Sequence, residues 1–362
     1  MSWAEVAFSD VLSDVTGGNE KTKQSDYAMR GKYPIVDQGQ SLVGGYTNDS
    51  ALLCKSQGPL IIFGDHTRAI KYIDFPFCLG ADGTKVLKAK EGTHPKYLFY
   101  ALHNIYIPEA GYSRHFKYLK TGKIPLPPLD EQRRIAGILD QADALRRLRA
   151  RALDKLNTLG QAIFQEMFGD PATNEHDFLP RKLSQIIRIV GGSQPAKKFF
   201  LYEDGPDRVR FVQTRDFKTD EYKTYVPREL AKRPFNEDDV IIGRYGPPVF
   251  QIFRGLSGTY NVALMKAEPV GGITKDFVYY LLREPNLHKY VIANSERTAG
   301  QSGVNLALLN DYPVFAPPIK LQQEFSRRLM NVKMLHSDCG HAFRESEALF
   351  TSLQHRAFRG EL

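Results

Sequence analysis

The chain contains an internal repeat, and this feature constrains its architecture more than any other. The segment "PLPPLDEQRRI" (125–135) returns 190 positions later as "FAPPIKLQQEF" (315–325), so that Gln132 aligns with Gln322, and each copy leads into a long helix-forming run. Two shorter matches lie upstream in the same order: "YLFYAL" (97–102) with "FVYYLL" (277–282), and "VTGG" (15–18) with "IVGG" (189–192). A short match arises easily by chance, but a collinear set of three predicts two copies of one unit. Each copy is a mixed region followed by a long helix.

The composition is that of a soluble globular protein. The 362 residues are 42% hydrophobic and 25% charged, which allows two or three domains with their own cores. No apolar run approaches the roughly 20 residues of a membrane span, and the start "MSWAEVAFSD" lacks the basic and apolar regions of a signal peptide. Cys54, Cys78 and Cys339 lack metal-ligand spacing, as is typical of reduced cytosolic thiols. We therefore expect a cytoplasmic protein.

Most of the net charge of +8 is shared between the two mixed regions. Residues 1–129 contain 15 basic and 12 acidic residues, and residues 171–319 contain 20 and 17. Each region thus carries an excess of +3. A mild basic excess of this kind suits a polyanionic partner such as nucleic acid, although many basic proteins bind none.

Clear boundary signals delimit the first long helix. The pair Pro127-Pro128 cannot lie inside it, Asp130 is a good N-cap, and Gly169 stops it. Residues 131–167 alone would span about 55 Å, more than the width of a lobe of this size, so we expect the two helices to pair with each other or with a partner. Apolar residues repeat at spacings of three and four in both, as in a coiled-coil seam. The predicted seam residues are Ile135, Ile138, Ala142, Leu145, Ala152, Leu156, Leu159 and Ile163 in the first helix and Phe325, Leu329, Val332, Leu335, Ala342, Leu349 and Leu353 in the second.

The mixed regions have the pattern of α/β lobes with short strands. Apolar runs closed by glycine predict strands in "YPIVDQG" (33–39), "GPLIIFG" (58–64) and "DVIIGRYG" (239–246). Aromatic and basic residues alternate in "YSRHFKYLK" (112–120) and "DRVRFVQTRDFK" (207–218). Such alternation suits contacts with phosphates and base edges, whereas the alternative for any one stretch is a solvated strand edge.

Motifs of the common catalytic folds are missing from the sequence. It contains no GxxxxGK[ST], HExxH or GxSxG motif, and "GPPVF" (246–250) has glycine where adenine methyltransferases need a residue that binds the target amine. One loose match remains: Asp207, Glu221 and Lys223 fit the degenerate "PD…ExK" pattern of metal-dependent nucleases. A stand-alone nuclease is therefore one alternative function.

Several segments together resemble the specificity subunits of type I restriction–modification systems. "IPLPPLDEQRRIAGIL" (124–139) is similar to the start of that family's central spacer helix, and 61–87 and 235–246 are similar to its target-recognition domains. The ending "AFRGEL" (357–362) is also similar to the family's usual ending. Two features depart from the family: the chain is somewhat short, and "PPIKLQQEF" is a weaker copy of the anchor than "PPLDEQRRI".

The resemblance implies a complete organisation. Target-recognition domains at 1–128 and 171–318 would alternate with conserved spacer helices at 129–170 and 319–362, giving two α/β lobes joined by two antiparallel coiled-coil helices. Each lobe would read half of a split double-stranded DNA target, and the helices would act as a ruler and dock two methyltransferase subunits, to which motor-nuclease subunits bind.

The chain itself would be non-catalytic, without metal or cofactor, because S-adenosylmethionine, ATP and Mg²⁺ would be bound by those partners. A scaffold that binds partners but not DNA is a second alternative. The candidate DNA contacts are Lys71, Arg114, His115, Lys117, Lys197, Lys198, Arg208, Arg210, Arg215, Arg244 and Tyr245.

Overall fold

The computed structural model describes residues 3–81, 83–108, 113–246, 248–298 and 301–362. The chain divides into two compact units, the first formed by Met1–Arg151 with Gly340–Leu362 and the second by Ala152–Cys339. No helix in the described ranges is long and apolar enough to cross a membrane.

The α-helices of the described residues include two that are far longer than the rest. They are α1 Phe8–Val11, α2 Pro95–Leu102, α3 Phe116–Thr121, α4 Leu129–Phe168, α5 Lys275–Leu281, α6 Pro285–Ala293, α7 Leu306–Asp311 and α8 Ile319–Arg359. The strands of the first unit are β1 Glu5–Ala7, β2 Leu12–Asp14, β3 Lys21–Thr22, β4 Tyr33–Val36, β5 Gly45–Thr47, β6 Leu60–Gly64, β7 Ile70–Ile73, β8 Cys78–Gly80, β9 Thr84–Ala89 and β10 Lys123–Pro125. Those of the second unit are β11 Leu179–Lys182, β12 Ile187–Gly191, β13 Arg208–Val212, β14 Tyr225–Pro227, β15 Pro234–Phe235, β16 Val240–Gly243, β17 Ile252–Phe253, β18 Gly258–Tyr260, β19 Leu264–Pro269, β20 Glu296–Thr298, β21 Gln301–Gly303 and β22 Pro313–Ala316.

The two units repeat one sheet topology, as the internal repeat predicts. An antiparallel sheet of order β2-β9-β6-β7 in the first unit matches β12-β19-β16-β17 in the second. Each unit also has a small antiparallel pair beside its long helix, β1-β10 and β11-β22. The three strands predicted from glycine-closed apolar runs are present as β4, β6 and β16.

The second sheet of each unit is mixed and differs at one edge. Strand β8 is parallel to β4 and also to β3, which precedes both in the chain. In the second unit β18 is parallel to β13. Its other neighbour, β15, follows β13 in the chain and runs antiparallel to β18. The repeat therefore holds for the central strands and not for this edge strand.

Each unit has its own hydrophobic core beneath the antiparallel sheet. In the first, β6 is buried along its whole length, and its residues Ile61 and Phe63 share a core with Leu98 and Leu102 of α2 and Ile135 of α4. The carboxy-terminal end of α8 completes this core, since Ala357 is fully buried and its carbonyl accepts the Trp3 indole N–H at 3.2 Å. In the second unit β16 is buried with Phe277 of α5, Phe164 of α4 and Phe325 of α8.

The repeated glutamine is a buried bridge between the start of each long helix and its lobe. The Gln132 Oε1 accepts the backbone N–H of His94, which caps α2, at 2.8 Å, and its Nε2 donates to the Pro127 carbonyl at 2.9 Å. Gln322 does the same in the second unit: its Oε1 accepts the Thr274 N–H at 2.8 Å and its Nε2 donates to the Pro317 carbonyl at 2.8 Å. The Pro-Pro…Gln motif thus anchors each helix to the helix of its own lobe.

The bounds of both long helices follow from local signals. The Pro128 carbonyl accepts the Glu131 and Gln132 N–H groups, so α4 begins at Leu129, and Asp130 lies in its first turn rather than at its cap. Acidic residues there favour the positive end of the helix dipole. Gly169 (φ +71°) and Gly360 (φ +74°) follow the ends of α4 and α8 in the left-handed conformation, as C-cap glycines do.

The long helices run antiparallel within each unit, as predicted. In the first unit Arg146 of α4 bonds Glu347 of α8 at 3.0 Å. In the second, Asn157 Oδ1 lies 3.0 Å from His336 Nε2. These two contacts occupy equivalent positions, because residues 146 and 336, and residues 157 and 347, are each 190 apart. The mixed α/β fold class with two long antiparallel helices is confirmed.

The stretch over which the paired helices bury their seam side chains is shorter than the predicted seam. Ile135, Ala142, Phe325 and Leu329 are buried, and Phe164, which the heptad assignment passed over in favour of Ile163, is fully buried against Phe325. Half-buried seam positions are Ile138, Ala152, Leu156, Ile163, Val332, Ala342 and Leu353. The assignment is corrected at four positions, which are 37–53% exposed: Leu145, Leu159, Leu335 and Leu349.

Candidate nucleic-acid interface

Lys71 is a buried structural residue rather than a surface cation. It lies in β7, where alternate residues point inward, and is only 5% exposed. Its Nζ donates to the Asp37 carbonyl at 2.8 Å and lies 3.6 Å from the Asp37 carboxylate. Burial lowers the pKa of Lys71, and Asp37 opposes that shift. The prediction of a DNA contact is therefore corrected, because the ammonium already has its partner inside the lobe.

His115 is likewise buried, at 3% exposure. Its backbone N–H donates to the Asp65 carbonyl at 2.8 Å, and its Nδ1 lies 3.0 Å from the same oxygen. The histidine thus ties the start of α3 to the end of β6, which again corrects the predicted role. Its neighbours Arg114 and Lys117 are exposed, and the Lys117 ammonium lies 4.8 Å from the centre of the Tyr118 ring. Tyr112 lies outside the described residues.

In the second unit Lys197 and Lys198 lie on an exposed turn. The Lys198 ammonium is 5.1 Å from the ring of Phe199, which is itself exposed. The sequence signal for this contact is the aromatic residue that follows the two lysines. These two cations are accessible to a polyanion.

The three arginines of the "DRVRFVQTRDFK" stretch each contact another residue of the second unit. Arg208 donates to the Glu203 carbonyl at 2.8 Å, and Arg210 donates to the Asp220 carboxylate at 2.8 Å. Arg215 is exposed and stacks on a tyrosine ring 5.4 Å away. The arginine cluster is thus partly neutralised by its own lobe, and Arg215 is its most accessible member.

Arg244 and Tyr245 follow β16 in a loop that ends at Phe250. Both side chains are half-buried, and the Arg244 guanidinium carbon lies 5.0 Å from the centre of the Tyr245 ring. Pro247 of the "GPPVF" segment lies outside the described residues. The cation and the ring form one unit at the surface of the second lobe.

The chain is similar to known proteins in sequence and in fold. Residues 2–158 match the model of the type I restriction modification DNA specificity domain. The chain is 26% identical over 216 residues to the specificity subunit of the type I restriction enzyme EcoR124I/EcoR124II of Escherichia coli, covering 54% of this chain and 52% of that protein. The chain thus spans about half the length of the curated relative it matches.

Two solved structures share the fold over nearly the whole chain. The type I S subunit from M. genitalium is 15% identical, with 99% of this chain and 96% of that chain covered and a TM-score of 0.61. A chain from a structure on complex assembly and conformational transition of the type I R-M system is 18% identical, with 100% and 98% covered and a TM-score of 0.57.

The chain is similar to the specificity subunits of type I restriction–modification systems, in sequence over residues 2–158 and in fold over nearly its whole length. Members of this family are the non-catalytic DNA-recognition components of their systems. The family resemblance inferred from the spacer and lobe segments is confirmed.

Two of the three residues of the alternative nuclease site pair with side chains outside that site. The Asp207 carboxylate is 92% exposed and lies 4.0 Å from Arg228, while Lys223 pairs with Asp220 at 3.0 Å. Among the described residues, no group of three or more histidine, cysteine, aspartate or glutamate side chains could hold a metal ion. The match to "PD…ExK" is therefore one of sequence spacing alone.

Polar contacts between the long helices were missed by the heptad assignment. In the first unit the buried Asp143 carboxylate bonds Arg146 at 2.7 Å and also Arg147, and Arg146 in turn stacks on the Phe350 ring at 4.9 Å. The one step that breaks the apolar run, Arg149, donates to the Ala342 carbonyl of α8. An acidic residue followed by arginines three and four positions later was the available sequence signal.

Proposed function

We propose that the chain acts as a specificity subunit and reads a split target in double-stranded DNA, one half with each lobe. The observation that carries this proposal is the duplication itself, because two lobes with the same antiparallel sheet topology and the same glutamine anchor are suited to equivalent tasks. Accessible cations in both units support it, namely Arg114 and Lys117 in the first and Lys197, Lys198 and Arg215 in the second. Phosphate contacts by such residues position a protein on DNA, and base contacts give specificity.

We further propose that two methyltransferase subunits dock on the long helices and that motor-nuclease subunits join them. Large apolar side chains on these helices are exposed in both units: Leu145, Leu148 and Leu349 in the first, and Leu159, Met330, Met334 and Leu335 in the second. Exposed apolar surface on a helix is a candidate protein interface. S-adenosylmethionine, ATP and Mg²⁺ would be bound by those partners, and the assembly would act in the cytoplasm.

The direct test is a map of methylated adenines in cells that carry the methyltransferase partner with and without this chain. One split motif should appear only when the chain is present. The purified chain alone should neither methylate nor cut DNA. Mg²⁺-dependent cleavage by the isolated chain that Glu221→Ala abolishes would instead support the nuclease alternative. Methylation that does not depend on the chain would refute DNA recognition by it.

The proposed ruler can be tested with matched insertions in both helices. In the first unit Arg146 contacts Glu347, and residue numbers fall along α8 as they rise along α4. The peptide bond after Leu148 therefore lies opposite the bond after Arg344. Four helix-forming residues inserted at both points add close to one turn, about 6 Å of rise.

The unread gap between the half-sites should then lengthen. B-DNA advances about 3.4 Å per base pair, so 6 Å corresponds to at most two base pairs, and to one if the helices are inclined to the DNA axis. Both half-site sequences should stay the same. The control is the insertion after Leu148 alone, which shifts one helix against the other and should abolish methylation. An unchanged gap in a doubly inserted variant that still directs methylation would mean that the helices do not measure the DNA.

A further inference from the structure

The loop after β16 in the second unit is held in place by its backbone. The Arg244 N–H donates to the Ala263 carbonyl at 2.8 Å, and the Arg244 carbonyl accepts the Val304 N–H at 3.0 Å. Tyr245 forms an antiparallel bridge with Gly303 of β21. The start of the loop is therefore fixed from two sides, and the direction of the Arg244 side chain is set by the fold.

The other end of the loop is anchored by Phe250. Its N–H donates to the Gly243 carbonyl at 3.1 Å, its ring is fully buried, and it adopts a left-handed conformation with φ +61°. Left-handed backbone is costly for a bulky residue, so burial of the ring must hold it there. The start of the loop is thus fixed to Ala263 and Val304, and its end to Gly243 of β16.

The Tyr245 ring packs against the Arg244 side chain and the Gly303 backbone. A Cβ atom added to Gly303 would lie 3.1 Å and 3.2 Å from the Cδ1 and Cε1 atoms of the Tyr245 ring, so the ring rests directly on the glycine backbone. The Arg244 guanidinium lies 5.0 Å from the centre of the ring. Stacking on an aromatic ring restricts the guanidinium plane while leaving its N–H edge available.

Among the described residues, none accepts a hydrogen bond from the Arg244 side chain. Within the described part of the chain no hydrogen bond or ion pair engages its guanidinium, although the side chain is half-buried. Arg208 and Arg210 of the same unit donate to Glu203 and Asp220 at 2.8 Å. No nitrogen of Arg244 is among the buried side-chain atoms that lack a partner, so its N–H groups reach solvent and can meet an acceptor from outside.

We propose that Arg244 reads a guanine in the major groove of the half-site bound by the second lobe, with Tyr245 and Gly303 as positioning residues. Arginine donates two parallel N–H bonds to the O6 and N7 acceptors of guanine, and this needs an oriented guanidinium plane. The inference rests on the proposed function, and it names one base and the residue that reads it.

The equivalent loop of the first unit explains why this role belongs to one lobe. Asp65 follows β6 as Arg244 follows β16: its N–H donates to the Gly83 carbonyl at 2.7 Å, and its carbonyl accepts the His115 N–H at 2.8 Å. The Asp65 side chain, however, is buried and accepts the Phe116 N–H at 2.7 Å. At the equivalent position of the first lobe, the side chain therefore points into the lobe.

The experiment uses the full chain with its methyltransferase partner. Once the methylation map has given the split motif, binding is measured to the cognate duplex and to duplexes with one base pair changed at each position. Arg244→Lys keeps the charge but loses the bidentate geometry. We expect the preference for G·C at one position of one half-site to fall by about 5- to 150-fold, with every other position unchanged.

Two controls separate base reading from other effects. Arg283→Lys changes an exposed arginine of the same unit that also stacks on a tyrosine ring, Tyr279 at 5.0 Å, but is not among the candidate DNA contacts, and it should leave every base preference unchanged. Tyr245→Phe should behave as wild type, whereas Tyr245→Ala should relax the same position as Arg244→Lys. Thermal unfolding of each variant checks that the second unit is intact.

The outcomes distinguish this inference from the proposed function. If the wild-type chain directs no split methylation motif, the proposed function fails. If it does, and Arg244→Lys leaves the preference unchanged at every position, the inference alone is wrong. It is equally wrong if Arg244→Ala weakens binding to all duplexes by the same factor and flattens the salt dependence by about one unit, because that pattern marks a phosphate contact.

Discussion

The buried glutamine of the repeated motif allows a prediction with a calculable size. Gln132→Met keeps a side chain of similar length but removes the acceptor for the His94 N–H and the donor to the Pro127 carbonyl. The site is closed, since Gln132 is 1% exposed. One half-buried N–H and one buried carbonyl would lose their partner.

Leaving a buried polar group unpaired costs about 1–3 kcal/mol. Two such groups give an upper range of about 6 kcal/mol, and some relaxation of the helix start lowers this, so we expect a loss of about 2–4 kcal/mol in the stability of the first unit. Native-state hydrogen exchange is the suitable assay, because it reports the two units separately. Amides of the first-unit core should exchange about 30- to 700-fold faster, while those of the second-unit core should not change.

Two variants make the test decisive. Gln141→Met changes an exposed glutamine on the same helix and should have little effect. Gln322→Met should produce the mirror result, with faster exchange in the second unit only, since its contacts with Thr274 and Pro317 are equivalent. If Gln132→Met accelerated exchange no more than Gln141→Met, the glutamine would not anchor the helix, and the physical account of the motif would fail.

Three further predictions concern single side chains. Lys71→Met should destabilise the first unit by roughly 1–3 kcal/mol in urea unfolding but leave the salt slope of DNA binding unchanged, whereas Lys117→Ala should flatten that slope by about one unit. Burial raises the pKa of Glu284, so the folded state binds this proton more tightly than the unfolded state does. The carboxyl group therefore destabilises the fold as pH rises above about 4. Glu284→Gln should have a higher melting temperature than wild type at pH 8, and the difference should vanish in acid. A Cβ at Gly160 would overlap the Tyr280 hydroxyl, so Gly160→Ala should lower the melting temperature and Tyr280→Phe should partly restore it.

Most of the architecture could be predicted from the sequence because its signals are local. Prolines and glycines mark where α4 and α8 begin and end, and glycine-closed apolar runs mark β4, β6 and β16. The edge-strand difference between β3 and β15 had no such signal, since it depends on pairing between distant segments.

The errors in the predicted site have a common physical cause. Lys71 and His115 are buried by partners 34 and 50 residues away, Asp37 and Asp65, which no local pattern reveals. The exposed seam residues Leu145 and Leu335 arise from geometry. An α-helix has 3.6 residues per turn, so a stripe of period 3.5 drifts by about 20° per heptad unless the helices supercoil. The heptad pattern identifies paired helices but overestimates how far along them the contact stays closed.

The two copies of the unit differ at the hairpin loop, where the hydrogen bonds that they share are made by the backbone. Gln132 and Gln322 bind backbone groups through their side chains, so replacing either residue would leave those groups unpaired, and both copies keep glutamine. At the hairpin loop the fold is held by the backbone of Asp65 and Arg244, which makes the same two hydrogen bonds whatever the side chain is. The side chain there is free to differ, and it does: a buried acid in one lobe and a stacked, half-buried cation in the other. A loop fixed by its backbone can therefore change its outward chemistry without changing its shape, which is the property that a recognition surface on a duplicated scaffold requires.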